Sequence, residues 1–304
     1  MIQGREELTG ELLIGVDFGG TKILTGAMTA DGEVVCDPVK LPTNGGDAPE
    51  KIIGRVTASI DEVLAKTGAE REDVAGIGMG VTGPIDIRNG RILECPQLPT
   101  LHFYPLKKMI EERYGRPVHM NNDANCLIYG ETLFGSGVGM KNVVGFTLGT
   151  GVGCAIIIDR NIFVGNTESA GEIWPSPYRD GTIEDLVSGS GVSKIYRRIT
   201  GCDKTARDIS VLAEQGDSGA LETWEEFGRH LSVAMSWTVN IIDPEAVILG
   251  GSISEAFKFF GPSMEDHFRK HICPTPARQT KVVCAKLGTN AGFIGAAALA
   301  LQNS

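Results

Sequence analysis

Two stretches of this chain, far apart in sequence, are built to one plan, and any fold must accommodate both. The first is Leu12-Leu-Ile-Gly-Val-Asp-Phe-Gly-Gly-Thr-Lys22. Leu12, Leu13, Ile14 and Val16 read as a buried strand and Ile23 to Met28 as its return, so Gly19-Gly20 falls at a hairpin reversal. The second, Thr147-Leu-Gly-Thr-Gly-Val-Gly153, again follows an apolar run (Val143 to Phe146) and precedes another (Ala155 to Ile158). Either loop alone is an ordinary glycine hairpin. The pair predicts an α/β protein with two like-built lobes around a central cleft.

The loops carry the inventory of a phosphate site. Gly19 and Gly20 let main-chain N–H groups approach an anion with no Cβ in the way, while Thr21 and Lys22 add a donor and a positive charge. Asp17, at the strand end, is placed to hold Mg²⁺ through water. The spacing of a Walker P-loop is absent, and the segment that follows reads as strand rather than helix.

Composition narrows the partners. A chain of 304 residues with 42% hydrophobic content suits one large or two medium domains. A net charge of −10 and a pI near 5.1 disfavour nucleic acid and anionic membranes, neither of which would be attracted electrostatically. The start, Met1 to Leu8, is too polar for a signal peptide, and no apolar run approaches the ~18 residues of a membrane helix, so the expected location is the cytoplasm. Seven cysteines are spread singly with no Cys-x-x-Cys pair, the pattern of reduced thiols. His267 and His271 lie four apart on a predicted helix without a third metal ligand nearby.

In chain order, Glu33 to Val39 is expected as a third strand after the Asp31-Gly32 turn, and Ala48 to Lys66 as a helix stopped by Gly68. Val74 to Val81 is a strand ending in Thr82-Gly83-Pro84, where a ligand can approach the backbone; Leu106 to Tyr114 is a helix stopped by Gly115. A strand from Pro117 then runs into Asn122-Asp123, with a helix beginning at once. Asp123 therefore sits at a helix N-terminus, either as a simple cap or as a carboxylate kept ionised for chemistry. A long helix is expected over Leu221 to Ile242 and a strand over Ala246-Val-Ile-Leu-Gly-Gly-Ser252, whose Gly250 and Gly251 let backbone face a nucleotide. The last strand is expected over Val282 to Ala285 and the last helix over Asn290 to Leu301. The expected lobes are 1–120, completed by a C-terminal helix at 290–304, and 121–289.

With these residues in hand, the chain resembles the ROK family of repressors and sugar kinases, which has the actin-like ATPase (ribonuclease H-like) fold. The resemblance rests on Asp17-Phe-Gly-Gly-Thr-Lys22, Gly83-Pro84, Asn122-Asp123-Ala-Asn125, Leu148-Gly-Thr-Gly151, Ala170-Gly-Glu172 and Gly250-Gly251, in that order. It implies ATP-dependent phosphorylation of a hexose, with Asp123 as base for the sugar hydroxyl and Gly83, Asn122, Glu172 and Glu184 on the sugar. It also implies Asp17, Gly19, Gly20, Thr21, Lys22, Gly149, Thr150, Gly151, Gly250 and Gly251 on ATP and Mg²⁺, and a homodimer.

Two departures stand out. The family's Glu-x-Gly-His is here Glu172-Ile-Trp-Pro175, and its zinc-binding cysteine cluster is missing, since no cysteine occurs between 154 and 202; structural zinc is expected to be absent. Loss of the histidine removes a partner for a sugar hydroxyl. Trp174 either stacks on a sugar face or packs where the zinc lobe would be. Gln97 stands where the family often has asparagine, and Thr82 where it has proline. Glucose is the first expected acceptor, with fructose, mannose, allose and N-acetylhexosamines as alternatives. A non-catalytic sugar and ATP sensor is a further alternative. A repressor is disfavoured, because only about eleven residues precede the first strand, too few for a helix-turn-helix domain.

Overall fold

The computed structural model describes residues 12–303, so the reading of the polar start falls outside the described residues. The chain forms two compact units, one running to Gly130 and resuming at Leu287, the other Glu131–Lys286. The first unit thus extends past the expected boundary at 120/121, to a point inside a helix.

In the first unit, β1 (Leu12–Phe18), β2 (Lys22–Met28) and β3 (Val39–Pro42) form an antiparallel meander; α1 (Pro49–Thr67) and β4 (Val74–Val81) follow. A short hairpin, β5 (Ile85–Asp86) and β6 (Arg91–Ile92), leads to α2 (Leu106–Tyr114), β7 (Val118–Asn122) and α3 (Asp123–Phe134). The strand order is β3-β2-β1-β4-β7, with β4 parallel to β1 and β7 parallel to β4. Because successive side chains on a strand face opposite ways, Leu12, Ile14, Val16 and Phe18 form a core with Ile52, Val56, Ile60 and Val63 of α1. The other face is lined by glycine. A Cβ on Gly15 would lie 1.9 Å from the carbonyl oxygen of Phe293, and one on Gly78 1.7 Å from that of Ala296. The C-terminal helix, Ala291–Ala298, therefore lies with its backbone directly on the sheet.

The second unit repeats this topology. Its sheet contains β8 (Val143–Leu148), β9 (Val152–Ile158) and β10 (Asn161–Ile162), followed after a small hairpin, β11 (Pro177–Tyr178) and β12 (Gly181–Thr182), by α4 (Gly189–Thr200), α5 (Ala206–Glu214) and α6 (Ser218–Ile242). Then come β13 (Ala246–Gly250), α7 (Phe257–His271), α8 (Pro274–Gln279) and β14 (Lys281–Cys284). The order β10-β9-β8-β13-β14 has the same antiparallel and parallel pairings as the first sheet. Trp224 and Phe227 of α6 pack edge-on to each other and against Phe260 of α7, a fully buried aromatic cluster.

Several expectations shift. The third strand is Val39–Pro42 rather than Glu33 to Val39: only Val34 makes an isolated bridge, to Met28, since Asp37-Pro38 offers poor ladder residues. The long helix begins at Ser218 because the Asp217 side chain caps it, accepting from Ala220 N–H at 2.8 Å. The last strand starts at Lys281, and the last α-helix gives way after Ala298 to a 3₁₀ turn over Leu299–Asn303. No described helix is long and apolar enough to cross a membrane. His267 is bonded through Nδ1 to Ser232 Oγ at 2.7 Å and stacked on His271.

The β11–β12 hairpin is anchored from below by Tyr178, whose hydroxyl is hydrogen-bonded to His230 Nδ1 at 3.0 Å. His230 is 1% exposed, and its Nε2 faces Glu226 at 3.3 Å, which in turn pairs with Arg198. Burial pushes the imidazole below its ordinary 6.5, with Glu226 partly opposing. An unfolded chain takes up this proton near 6.5 while the folded one refuses it until lower pH, so folding stability drops as pH falls below about 6.5. Thermal melts between about pH 5 and 8 are expected to show this acid loss in wild type and less of it in His230→Gln. Equal pH slopes would refute the assignment.

Candidate active site

In the first unit the carboxyl ends of the three parallel strands lie side by side. Asp17 of β1 is in register with Gly80 of β4, and Gly80 with Asn121 of β7. Open α/β sheets bind ligands outside such ends. The first glycine loop springs from this edge: Phe18 pairs with Ile23, and Gly19 N–H closes the turn onto Lys22 O at 3.0 Å. Buried Thr43 pins it twice, its N–H to Thr21 O at 3.0 Å and its hydroxyl to Gly19 O at 2.7 Å. Gln97 packs so closely that a Cβ on Gly20 would lie 2.6 Å from its own Cβ. Gly20 and Thr21 N–H make no hydrogen bond among the described residues.

Asp17 pairs with Lys22 Nζ at 3.5 Å and is mostly buried. Burial raises its carboxyl above the ordinary value and Lys22 partly lowers it. A Cβ on Gly292, at the start of the C-terminal helix, would lie 2.8 Å from Asp17 Cγ, so glycine there makes room for the carboxylate. For Mg²⁺, Asp17 is a fitting donor: a single hard carboxylate beside a phosphate loop is how this ion is usually held, most of its other ligands being waters and phosphate. Among the described residues no three His, Cys, Asp or Glu side chains are grouped to share a metal.

Asn122 ends β7 and Asp123 opens α3. Ala124 N–H donates to both Asn122 Oδ1 at 2.9 Å and Asp123 Oδ1 at 2.8 Å, while Asn121 Oδ1 accepts from Asn122 N–H and Asn125 Nδ2. The strand-to-helix turn is thus held by its own asparagines, and the carboxylate of Asp123 faces the helix's N-terminal donors. Gly83, which precedes Pro84 through a cis peptide, leaves room for Asn122: a Cβ would lie 3.1 Å from its Nδ2. The buried thiol of Cys126 is pushed well above its ordinary value by burial first, then by the charges of Asp123 and Asp17, so it is no nucleophile.

The second unit holds the other predicted residues. Leu148 pairs with Val152, leaving Gly149-Thr150-Gly151 as the loop, closed by Gly149 N–H to Gly151 O at 3.0 Å. Thr150 and Gly151 N–H, like their counterparts in the first unit, have no partner among the described residues. Gly189 N–H, at the start of α4, donates to Gly149 O at 2.8 Å. Glu184 Oε2 accepts from Val152 N–H at 3.1 Å. Gly251 has φ +85°, and a Cβ there would lie 2.3 Å from Leu148 O, which brings Gly250-Gly251 against the strand that feeds the loop.

Glu172 and Trp174 form a pair: the indole Nε1–H donates to Glu172 Oε2 at 2.7 Å. Trp174 is 44% exposed and fills no packed core. Sequence reasoning missed this bond, the Thr43 pin and the Gln97 contact, each a meeting of side chains distant along the chain or within a loop of no periodicity. The one local signal was Ser188, the cap of α4, which marks the helix start beside the second glycine loop.

The family model described as ROK family matches residues 13–303. The chain is 31% identical to a glucokinase of Halalkalibacterium halodurans, over 95% of this chain and 94% of that one. It is 30% identical to an N-acetyl-D-glucosamine kinase of Vibrio cholerae, over 95% and 99% respectively. Among solved structures it is similar to a ROK family glucokinase from Streptomyces griseus in complex with glucose and AMPPNP, with TM-score 0.82 and 28% identity, covering 96% of this chain and 99% of that one.

Proposed function

The chain belongs to the ROK family, and from that premise we propose that it is a sugar kinase moving the γ-phosphoryl group of ATP to a hexose hydroxyl, with glucose the first acceptor to test. What supports the reading most is the duplicated glycine hairpin. In each unit a strand end presents two adjacent backbone N–H groups without protein partners, Gly20 and Thr21 in one and Thr150 and Gly151 in the other. Paired donors of this kind cradle phosphate oxygens.

In this reading the acceptor hydroxyl lies against Asp123, with Gly83, Asn122, Glu172 and Glu184 as its other contacts. As the hydroxyl oxygen bonds to the γ-phosphorus, the bond from that phosphorus to the bridging oxygen of ADP breaks, and Asp123 takes the hydroxyl proton. Lys22 and the loop N–H groups bear the phosphate charge, and Gly250 and Gly251 admit the nucleoside. Asp17 would hold Mg²⁺ through water; when bound, the ion neutralises charge on the transferring group. Catalysis here is chiefly positioning and charge neutralisation, which this inventory suits.

The bond from Trp174 to Glu172 favours a second possibility for the acceptor. With one Glu172 oxygen occupied by an indole N–H and the family histidine replaced by Pro175, the sugar hydroxyls are read differently, so mannose, fructose, allose or an N-acetylhexosamine competes with glucose. Coupled ADP release with Mg-ATP and a panel of these sugars tests the proposal. Turnover with one acceptor, well above the rate without sugar, is expected. A protein that binds nucleotide yet stays silent with every sugar of the panel either takes an acceptor outside it or is a non-catalytic sensor.

A further inference from the structure

We propose that Glu184 is the positioning residue of the second phosphate loop, fixing the two loop N–H groups that meet ATP; this rests on the kinase reading above. The resemblance assigns Glu184 to the sugar alone. Its carboxylate, however, is spent partly elsewhere: Oε2 accepts from Val152 N–H at 3.1 Å, immediately after the loop. The two are 32 residues apart along the chain. A Cβ on Gly151 would lie 2.4 Å from that same Oε2 and 3.3 Å from Glu184 Cδ. Glycine at 151 therefore has a second reason beyond admitting phosphate: it lets this carboxylate seat on the loop.

The backbone of Glu184 is itself held at both ends. Its N–H donates to Trp174 O at 3.2 Å, and its carbonyl accepts from the Ser188 hydroxyl at 2.7 Å. One residue further, Gly189 N–H grips Gly149 O at 2.8 Å. The loop Gly149-Thr150-Gly151 is thus clamped on its two flanks, by Gly189 at the first residue and by Glu184 just past the last. Between the clamps, the N–H groups of Thr150 and Gly151 stay without protein partners. The arrangement gives order to an exposed turn that would otherwise sample several conformations, and binding sites gain from order established before the ligand arrives.

The clamp also joins two parts of the site. Trp174, whose indole orients Glu172, is bonded through its carbonyl to the residue that holds the phosphate loop. Glu184 Oε1 has no partner among the described residues, so one carboxylate serves the loop through Oε2 and has Oε1 for an acceptor hydroxyl.

The test compares full-length wild type, Glu184→Gln and Glu184→Ala by two readouts. The first is hydrogen exchange of the backbone amides at 149–153. The second is affinity for AMP-PNP without sugar, alongside KM for ATP and for the acceptor. Glu184→Ala is expected to speed Val152 exchange and weaken AMP-PNP binding by about 10- to 100-fold, the scale of losing a charged acceptor. Glu184→Gln keeps an acceptor oxygen and is expected to recover most of both. The proposal is overturned if Glu184→Ala raises only the acceptor KM, with Val152 exchange and AMP-PNP affinity as in wild type. If Glu184→Ala proves unfolded, Glu184→Asp decides: its shorter side chain draws the oxygen away from Val152 N–H, so faster Val152 exchange with weaker AMP-PNP binding is expected, and Val152 exchange speeded with AMP-PNP affinity unchanged, or both unchanged, refutes the proposal. Wild type that binds no AMP-PNP would overturn the kinase reading together with this one.

Discussion

With Asp123 replaced by asparagine, kcat is expected to fall by about 10²- to 10⁴-fold at saturating ATP and sugar, the range typical of losing a general base. The substitution is nearly isosteric. Asparagine keeps an oxygen that can accept from Ala124 N–H, the bond that Asp123 Oδ1 makes at 2.8 Å, so the start of α3 should survive. It removes the negative charge and with it the capacity to take the hydroxyl proton. Melting temperature and nucleotide affinity are therefore expected to change little, while the chemical step collapses. A fall of less than about tenfold, in a variant that melts like wild type, would show that Asp123 only caps the helix.

The second large effect concerns folding rather than chemistry. Gly78→Ala adds one methyl group in the middle of β4, and that methyl would stand 1.7 Å from the carbonyl oxygen of Ala296 and 2.4 Å from its carbon. No rotamer relieves a clash between a Cβ and a backbone, so the C-terminal helix must lift from the sheet. Gly15, 1.9 Å from Phe293 O by the same measure, lies on the same face and cannot absorb the shift. Overpacking of a core usually costs 1–3 kcal/mol; with backbone on one side, about 3 kcal/mol or more is expected, against total stabilities of about 5–15 kcal/mol. Urea unfolding measures it. Gly54→Ala is the matched control, in α1 with nothing within 4 Å of the added Cβ, and is expected to stabilise by about 0.5–1 kcal/mol. A cost below about 1 kcal/mol for Gly78→Ala would mean that the helix is not seated on the sheet as described.

The two predictions draw on different parts of the chain's legibility. Asp123 could be singled out from sequence because a short strand running into Asn-Asp before a helical spacing is a local pattern, and its consequence, a carboxylate accepting from an N–H of the first helical turn, is local as well. The glycine-lined face of the first sheet was visible only as composition. Val74 to Val81 read as a strand with three glycines, and Asn290 to Leu301 as an Ala- and Gly-rich helix expected to complete that lobe; nothing in either said which glycines the helix would sit on. The third strand was misplaced because Val34 and Val39–Pro42 both lie along the edge of β2, opposite Met28 and Lys22–Thr25 respectively, and the ladder is interrupted between them, where Asp37-Pro38 pairs poorly.

By itself, then, the sequence determined the repeated hairpin units, most helices and strands, and the residue types at the strand ends, because each follows from periodicity, capping and turn chemistry within about a dozen neighbouring residues. Tertiary structure decided what those ends touch. Glu184 bonds to Val152, Trp174 turns its indole N–H to Glu172 rather than into a core, Gln97 fills the space above Gly20, and the C-terminal helix chooses Gly15 and Gly78. Most of these contacts join segments distant along the chain, where a missing Cβ on one element matches a side chain or carbonyl on another. Local pattern records that a residue is small or polar; only the packed chain records what occupies the space it leaves.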